Sequence, residues 1–329
     1  MAATRTTRCH HAQVVKTMIR DRYGPPEALE LRDVDEPVPG DHDVLIRVRA
    51  ASLNRSDWES LVGRPLYARV GEMAPVLGTD VAGVVEAVGR QVDRFKPGDE
   101  VFGDIMYHGA GAFAEYVSVP ESAPLVVKPP ALSFVEASTL PQAGVIAFQG
   151  IGQRSTSGDR VLINGGGGGT GTLAIQMAKN SGAQVTGVDN SHKHELMSSV
   201  GADHVIDHTT NDYTRSGEYD LILDMVCHRS MFAIRRAVAP GGRYSVVGGS
   251  VSALLSALTI GRLLSTGERK MGVLMVRPNR EDLETVANQV VSGALRPTVE
   301  RTFPLEELPQ ALRALGENRV LGKVVVDMP

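Results

Sequence analysis

Val161-Leu162-Ile163-Asn164-Gly165-Gly166-Gly167-Gly168-Gly169-Thr170-Gly171 joins a short apolar run to a glycine tract. Thr172-Leu173-Ala174-Ile175-Gln176-Met177-Ala178-Lys179 follows with apolar residues at helical spacing. The apolar run reads as a buried strand and the segment after the glycines as a helix. In that context Gly166, Gly168 and Gly171 form a G-x-G-x-x-G fingerprint for dinucleotide binding. The glycines serve a tight turn, close approach of backbone to pyrophosphate, and close helix–strand packing. Phosphates would rest on the amides of the loop Gly166, Gly167, Gly168, Gly169, Thr170 and Gly171, at the helix N-terminus. A flexible linker is the competing reading, but linkers are not flanked by a buried strand and an amphipathic helix.

Downstream, strand and helix patterns alternate: Gln184 to Val188, Lys193–Val200, His204 to Ile206, Leu221 to Leu223, Ser230–Val238 and Tyr244 to Val247. That alternation predicts a parallel, doubly wound α/β sheet. A further helix is expected over Glu281–Val291. Upstream, the texture is different. Strands are expected from Val15, at Leu29–Leu31, Val44–Ala50, Val81–Val88, Glu100–Phe102 and Phe113–Val119, with glycine and proline between them. Many short strands with turn signals imply a partly open β-barrel-like domain. Phe134–Leu140 and Gly144–Gln149 look helical, and Lys323–Val326 forms a last strand that returns to the first domain.

The chain has 329 residues and a formal net charge of −4, which argues against a nucleic-acid partner. Its two cysteines, Cys9 and Cys227, cannot build a disulfide framework or a cysteine-rich zinc site. No apolar run is long enough to span a bilayer, so no membrane partner is expected. Residues 1–15 read as a flexible tail, and the expected location is cytoplasmic.

Taken in order, the motifs resemble the medium-chain dehydrogenase/reductase superfamily, in its zinc-independent quinone oxidoreductase-like branch. The carrying stretches are Asn54-Arg55-Ser56-Asp57, Leu77-Gly78-Thr79-Asp80-Val81-Ala82-Gly83 and Gly98-Asp99-Glu100-Val101-Phe102-Gly103. Gly111-Ala112-Phe113-Ala114-Glu115-Tyr116, Leu140-Pro141-Gln142-Ala143-Gly144, the fingerprint, Gly201–Asp207 and Pro240-Gly241-Gly242-Arg243 complete the series. The resemblance implies a GroES-like catalytic domain over 16–138 and 299–329, a Rossmann NAD(P)-binding domain over 139–298, and an active site between them. It also implies a homodimer through a Rossmann-sheet edge near Leu254–Val276.

Zinc-dependent relatives carry Gly-His-Glu where this chain has Gly78-Thr79-Asp80, a cysteine within the segment Asn54–Asp57, and a four-cysteine loop that is absent here. Asp57 and Asp80 alone cannot supply a zinc site, so no metal is expected. Conjugate reduction suits a metal-free site, because the enolate formed needs only hydrogen-bond donors and a proton. The expected function is therefore NAD(P)H-dependent reduction of quinones or activated C=C bonds. Alternatives of the same fold are a reductase or cyclase of secondary metabolism, or a cofactor-binding regulatory or structural protein with little turnover.

Asn54, Asp57 and Tyr67 are the catalytic candidates. Asn54 can donate an amide hydrogen bond and Asp57 can orient its neighbours, unless the pair only caps a helix. Tyr67 falls where relatives place an aromatic near substrate, and is otherwise an ordinary half-buried tyrosine. His108 is a candidate proton donor or a solvated loop residue. Ile146 stands where the family usually has threonine, and Cys227 stands where it usually has glycine. Val226, Val247, Gly248 and Gly249 are expected near the nicotinamide, and Lys323 is expected to contact the cofactor. Asp189, about 20 residues past the fingerprint, favours NAD(H) by accepting from ribose hydroxyls. Ser191 and Lys193 can instead hold a 2′-phosphate, and the family's habit tips the choice slightly to NADP(H). Relatives usually have alanine and serine at positions 166 and 167, so phosphate binding here rests on backbone amides and the loop is expected to be mobile without cofactor.

Overall fold

The computed structural model describes residues 13–328. The glycine tract is preceded by β8 (Arg160–Asn164), whose last four residues are all buried. Neighbours on both sides enforce that burial. β9 (Gln184–Asp189) and β11 (Tyr219–Asp224) pair with β8 in parallel. With β10 (His204–Asp207), β12 (Val238–Val246) and β13 (Lys270–Val273) they form a six-stranded sheet, ordered β10-β9-β8-β11-β12-β13. Every pairing in it is parallel. The strand order reverses between β8 and β11, and open α/β sheets bind ligands beyond the strand ends at that switch.

Helices cover both faces. α4 (Gly169–Asn180) buries Leu173, Ala174, Ile175, Met177 and Ala178 against one face. α6 (Met231–Ala237) packs on the other, where Ile222, Tyr244 and Val246 point. α5 (His194–Ser199) follows β9. α7 (Val251–Ser256) and α8 (Arg262–Leu264) lead into the edge strand β13. α9 (Arg280–Val291) starts at Asn279, whose side chain accepts the Asp282 amide.

A second sheet has the order β14-β15-β3-β4-β5-β7, with β6 also pairing β3. Its strands are β3 (Asp43–Ser52), β4 (Asp80–Val88), β5 (Glu100–Asp104), β6 (Tyr116–Pro120), β7 (Leu125–Val127), β14 (Val299–Phe303) and β15 (Lys323–Asp327). The last strand does return: β15 runs antiparallel to β3, with Val325 opposite Ser52. α1 (Arg55–Val62) and α10 (Leu308–Gly316) lie together beside this sheet. A hairpin of β1 (Val14–Arg20) and β2 (Leu29–Asp35) completes the layer.

Three expectations shift. β1 begins at Val14, inside the stretch read as tail, because it pairs with Asp35 and buries Val15; residues 1–12 of that tail lie outside the described residues. β6 starts at Tyr116 rather than Phe113, since the amides of Ala112 and Phe113 are spent on the carbonyls of Gly78 and Leu77. After α2 (Phe134–Ser138), the helix expected from Gly144 begins at Pro141, as α3 (Pro141–Ala147). Proline is tolerated in a first turn, where its missing N–H has no partner to lose. α3 then continues as a π-helical turn over Phe148–Gly152.

Candidate active site

The glycine loop is tied down rather than loose. The amides of Gly165 and Gly166 both donate to the Val188 carbonyl, and Gly168 donates to Gly165. The Gly167 amide donates to the Asp189 carboxylate at 3.0 Å, and its carbonyl accepts from Gly322 at 2.9 Å. Gly171 is obligatory, because a Cβ there would lie 2.2 Å from the Gly165 carbonyl oxygen. The first amides of α4, from Gly169, Thr170 and Gly171, have no intrahelical acceptor and carry the positive end of the helix dipole. This cradle fits a pyrophosphate.

Two lysine stems lie against glycines of the loop, at Gly167 and Gly169, while Gly166 faces the Met197 sulfur. A Cβ at Gly167 would fall 2.5–2.6 Å from carbons of Lys193, and one at Gly169 would fall 2.3–2.6 Å from carbons of Lys323.

That packing corrects two expected roles. Lys193 is buried and ion-paired with Asp189 at 3.6 Å, so it faces inward rather than waiting for a phosphate. Asp189 is also turned inward, accepting from the Gly167 and Asn190 amides, so its carboxylate is already engaged where ribose hydroxyls were expected. Ser191 is exposed at the start of the turn before α5.

Lys323 is also enclosed, at 4% exposure. Its ammonium donates to the Leu53 carbonyl at 2.9 Å and to Asn54 Oδ1 at 2.7 Å, and stands 3.5 Å from Asp80. It reaches the cofactor loop only through its stem. Burial lowers its pKa, and the surrounding aspartates oppose that shift.

Asn54 joins the same network. Its Nδ2 donates to Asp80 at 2.8 Å and Thr79 at 3.2 Å. All its side-chain polar atoms are engaged internally, so Asn54 positions rather than offering a free donor. Asp80, fully enclosed, also accepts from Ser52 Oγ at 2.9 Å and the Gln142 amide at 3.1 Å. Asp57 accepts the Asn54 amide at 2.8 Å, half of a capping box, while its Oδ1 is buried without a partner. Burial pushes Asp57 up to about 7.

Asp104, which sequence reading missed, sits opposite Asp80 in the β4–β5 register. Burial, then the charge of Asp80, raises it to about 7, against the pull of the Met106 amide. Three buried carboxyls thus surround one ammonium.

Tyr67 bridges the cleft. Its hydroxyl donates to the Gly249 carbonyl at 3.0 Å and lies 3.5 Å from Glu59. Burial and the Glu59 charge push its pKa up to about 12, so the phenol keeps its proton. His108 sits half-buried in a single turn, Met106–His108.

The expected nicotinamide end is organised by another missed residue. Asp224, at the end of β11, is fully buried and accepts from Asn164 Nδ2 and the amides of Val226 and Cys227 at 2.8–2.9 Å. The hydroxyls of Tyr244 and Tyr213 add bonds at 3.1 and 3.3 Å. It joins the strand before the glycine loop to the turn Val226–Cys227, where Cys227 holds φ at +54°. Cys227 is half-buried, its thiol pushed up by burial, 3.5 Å from the Tyr244 hydroxyl. Val247 bonds back to Asp224, and Gly248 and Gly249 turn with positive φ, bringing backbone to the same place.

Among the described residues, no group of three or more His, Cys, Asp and Glu side chains is placed to hold a metal ion. The donors at the positions of the zinc ligands are amide, hydroxyl and carboxylate, a set unlike the thiolate–imidazole sets of catalytic zinc. No helix of the described residues is long and apolar enough to cross a membrane.

Residues 40–131 match the family described as alcohol dehydrogenase GroES-like domain, and residues 200–326 match that described as zinc-binding dehydrogenase. A 2-methylene-furan-3-one reductase of Solanum lycopersicum is 34% identical, over 92% of this chain and 76% of that protein. A chloroplastic quinone-oxidoreductase of Triphysaria versicolor is 30% identical, over 96% of this chain and 99% of its own length. The solved quinone oxidoreductase from Coxiella burnetii superposes with a TM-score of 0.87 at 29% identity, covering 96% of this chain and 100% of that one. With the glycine cradle at the sheet's switch point and a β-domain facing it, these likenesses settle the family: the chain belongs to the medium-chain dehydrogenase/reductase superfamily, in its quinone oxidoreductase-like branch.

Proposed function

We propose that this protein is an NAD(P)H-dependent reductase of quinones or activated carbon–carbon double bonds, working without a metal. The observation that carries the reading is one cleft that combines a pyrophosphate cradle, Gly166–Gly171, with a protonated phenol, Tyr67, hydrogen-bonded across to Gly249. The relatives named for quinone and furanone reduction support the substrate class. When bound, the nicotinamide supplies the hydride. The protein holds the dinucleotide on the amides of Gly169, Thr170 and Gly171 and shapes the nicotinamide end through the Asp224-pinned turn. The Tyr67 hydroxyl can swing from Gly249 to a substrate oxygen and hold developing negative charge there. With its pKa pushed up to about 12 the phenol keeps its proton and serves as a hydrogen-bond donor, and the proton that completes the reduction comes from bulk solvent.

NADP(H) is the proposed cofactor. Lys193 and the backbone amides offset the Asp189 charge, which weakens its repulsion of a 2′-phosphate. A cytoplasmic homodimer is part of the same proposal. Among the described residues β13 ends the six-stranded sheet with an unpaired edge, and Leu255, Leu258 and Leu263 are exposed just before it. The division at 138/139 and 298/299 is the proposed domain boundary. The test is steady-state kinetics with NADPH and NADH against a panel of quinones and enones. Turnover of at least one class with NADPH preferred is expected. Tight NADPH binding without turnover of any acceptor would overturn the enzyme reading for these substrates.

A further inference from the structure

Four ionisable side chains are enclosed together at one end of the second sheet: Asp57 at 1% exposure, Asp80 at 0%, Asp104 at 5% and Lys323 at 4%. They come from α1, β4, β5 and β15. Fully ionised, the three carboxylates outnumber the one ammonium in a space closed to water. Unpaired charge in such a place is neutralised by a proton instead.

The donors show which group keeps its charge. Asp80 is supplied as a carboxylate: the Ser52 hydroxyl, the Asn54 side-chain amide and the Gln142 backbone amide donate to it, and the Lys323 ammonium stands beside it. Asp104 has one backbone donor, Met106, and Asp57 has one, Asn54, with its Oδ1 left unpartnered. The proton therefore belongs on Asp57 or Asp104. Burial, reinforced by the charge of Asp80, raises both to about 7. Other charged groups on the surrounding elements are engaged elsewhere. Arg55 reaches the Leu315 and Gly316 carbonyls, Glu59 faces Tyr67, and Glu136 accepts from Ser133. Glu86 pairs with Arg47, Glu100 pairs with Lys128, Arg49 lies over the Phe134 ring, Asp43 accepts the Gly40 amide, and Asp327 is exposed.

Lys323 ties this cluster to the cradle. Its neighbour Gly322 donates to the Gly167 carbonyl and is bridged to Gly168, and the Lys323 stem lies against Gly169. The ammonium among the acids and the backbone of the cradle are thus one lysine side chain apart. Through protein, a unit charge about 10 Å away shifts a titrating group by about one pKa unit. An anion entering the cradle adds negative charge beside acids that already outnumber their cation.

We propose that filling the cradle is linked to proton uptake by the Asp57–Asp104 pair, so that the anionic dinucleotide enters together with a proton drawn from solvent. The inference rests on the dinucleotide reading of the cradle. The loaded protein holds the proton more tightly than the empty one, so nucleotide affinity is greatest below the empty protein's titration. It declines as pH rises through 7, until the loaded form also loses its proton.

The test is calorimetric titration of the full-length protein with NADH near pH 7, in buffers of different ionisation enthalpy. The slope of observed heat against buffer heat counts protons, and NADH has no 2′-phosphate to titrate alongside. Uptake of about half to one proton per NADH is expected, with a dissociation constant that rises by up to about tenfold from pH 6 to pH 8.5. Asp57→Asn and Asp104→Asn each keep an oxygen for the amide now bound there, and each should lower the proton count. Together they should abolish it and flatten the pH dependence, whereas a role confined to packing would weaken binding at every pH and leave the count unchanged. NADPH run in parallel carries its phosphate's own proton, which cancels in the difference between wild type and variant. Binding without proton uptake by the wild-type protein would overturn the linkage, and so would an uptake that both single variants retain in full. Absence of binding by either nucleotide would overturn the dinucleotide reading, and the linkage with it.

Discussion

Single residues in this protein are repurposed by what lies against them. Asp189 stands where an acid selects NAD(H), yet its carboxylate carries the Gly167 amide and faces Lys193. Asp189→Ser should therefore loosen the glycine loop and weaken NADPH and NADH together, read as two dissociation constants by fluorescence titration. A ratio that moves more than about threefold toward NADPH would show a selector after all. Asp104 has a different consequence. Its pKa near 7 lies above the unfolded value, so the folded chain binds an extra proton between about pH 4 and pH 7. The stability this contributes is fully present below the unfolded pKa and is lost as pH rises through 7. Asp104→Asn cannot take up that proton. The unfolding free energy of wild type relative to the variant should therefore fall by about 2–3 kcal/mol from pH 5 to pH 8. A flat difference in urea unfolding across that range would mean that Asp104 stays ionised in the folded protein.

At the level of elements, the strand–glycine–helix unit was legible because its information is local. β8 is buried from Val161 on, α4 has helical spacing, and Gly171 answers to Gly165 six residues before it, although Gly167 and Gly169 answer to the distant Lys193 and Lys323. What was not legible depends on register between distant strands. Asp104 meets Asp80 only because β5 pairs with β4 in that frame. Lys323 reaches Asn54 and Asp80 only because β15 returns to β3 after some 270 residues. Asp224 gives no signal in sequence beyond ending a strand, although five donors converge on it. The local unit yields a sharp prediction. In Gly171→Ala the obstacle is backbone, the Gly165 carbonyl, so the loop must open, at a cost of about 1–3 kcal/mol. NADPH affinity should fall more than tenfold. Retained affinity would show that the helix start does not carry the pyrophosphate.

Across the whole molecule the two halves share a packed core, and three of the contacts between them line the cleft: Gly168 bridged to Gly322, the Lys323 stem over Gly169, and Tyr67 reaching Gly249. The first two lie at the phosphate cradle, and the third lies by the nicotinamide turn. A dinucleotide spanning that distance would touch every link, so cofactor and these contacts should stabilise each other. Tyr67 is the link that also faces substrate. A tyrosine acting as general acid would contribute about 10²–10⁴ in rate and would need a pKa near the working pH. Here burial and Glu59 hold it near 12, so its contribution is a hydrogen bond. Tyr67→Phe should therefore lower kcat/KM for a quinone or enone less than about tenfold, equivalent to about 1 kcal/mol of lost hydrogen bonding. The alkaline limb of the pH–rate profile should keep its position. A loss beyond a hundredfold, or disappearance of an alkaline limb, would make Tyr67 the proton donor and would require substrate binding to bring its pKa down from where Glu59 holds it.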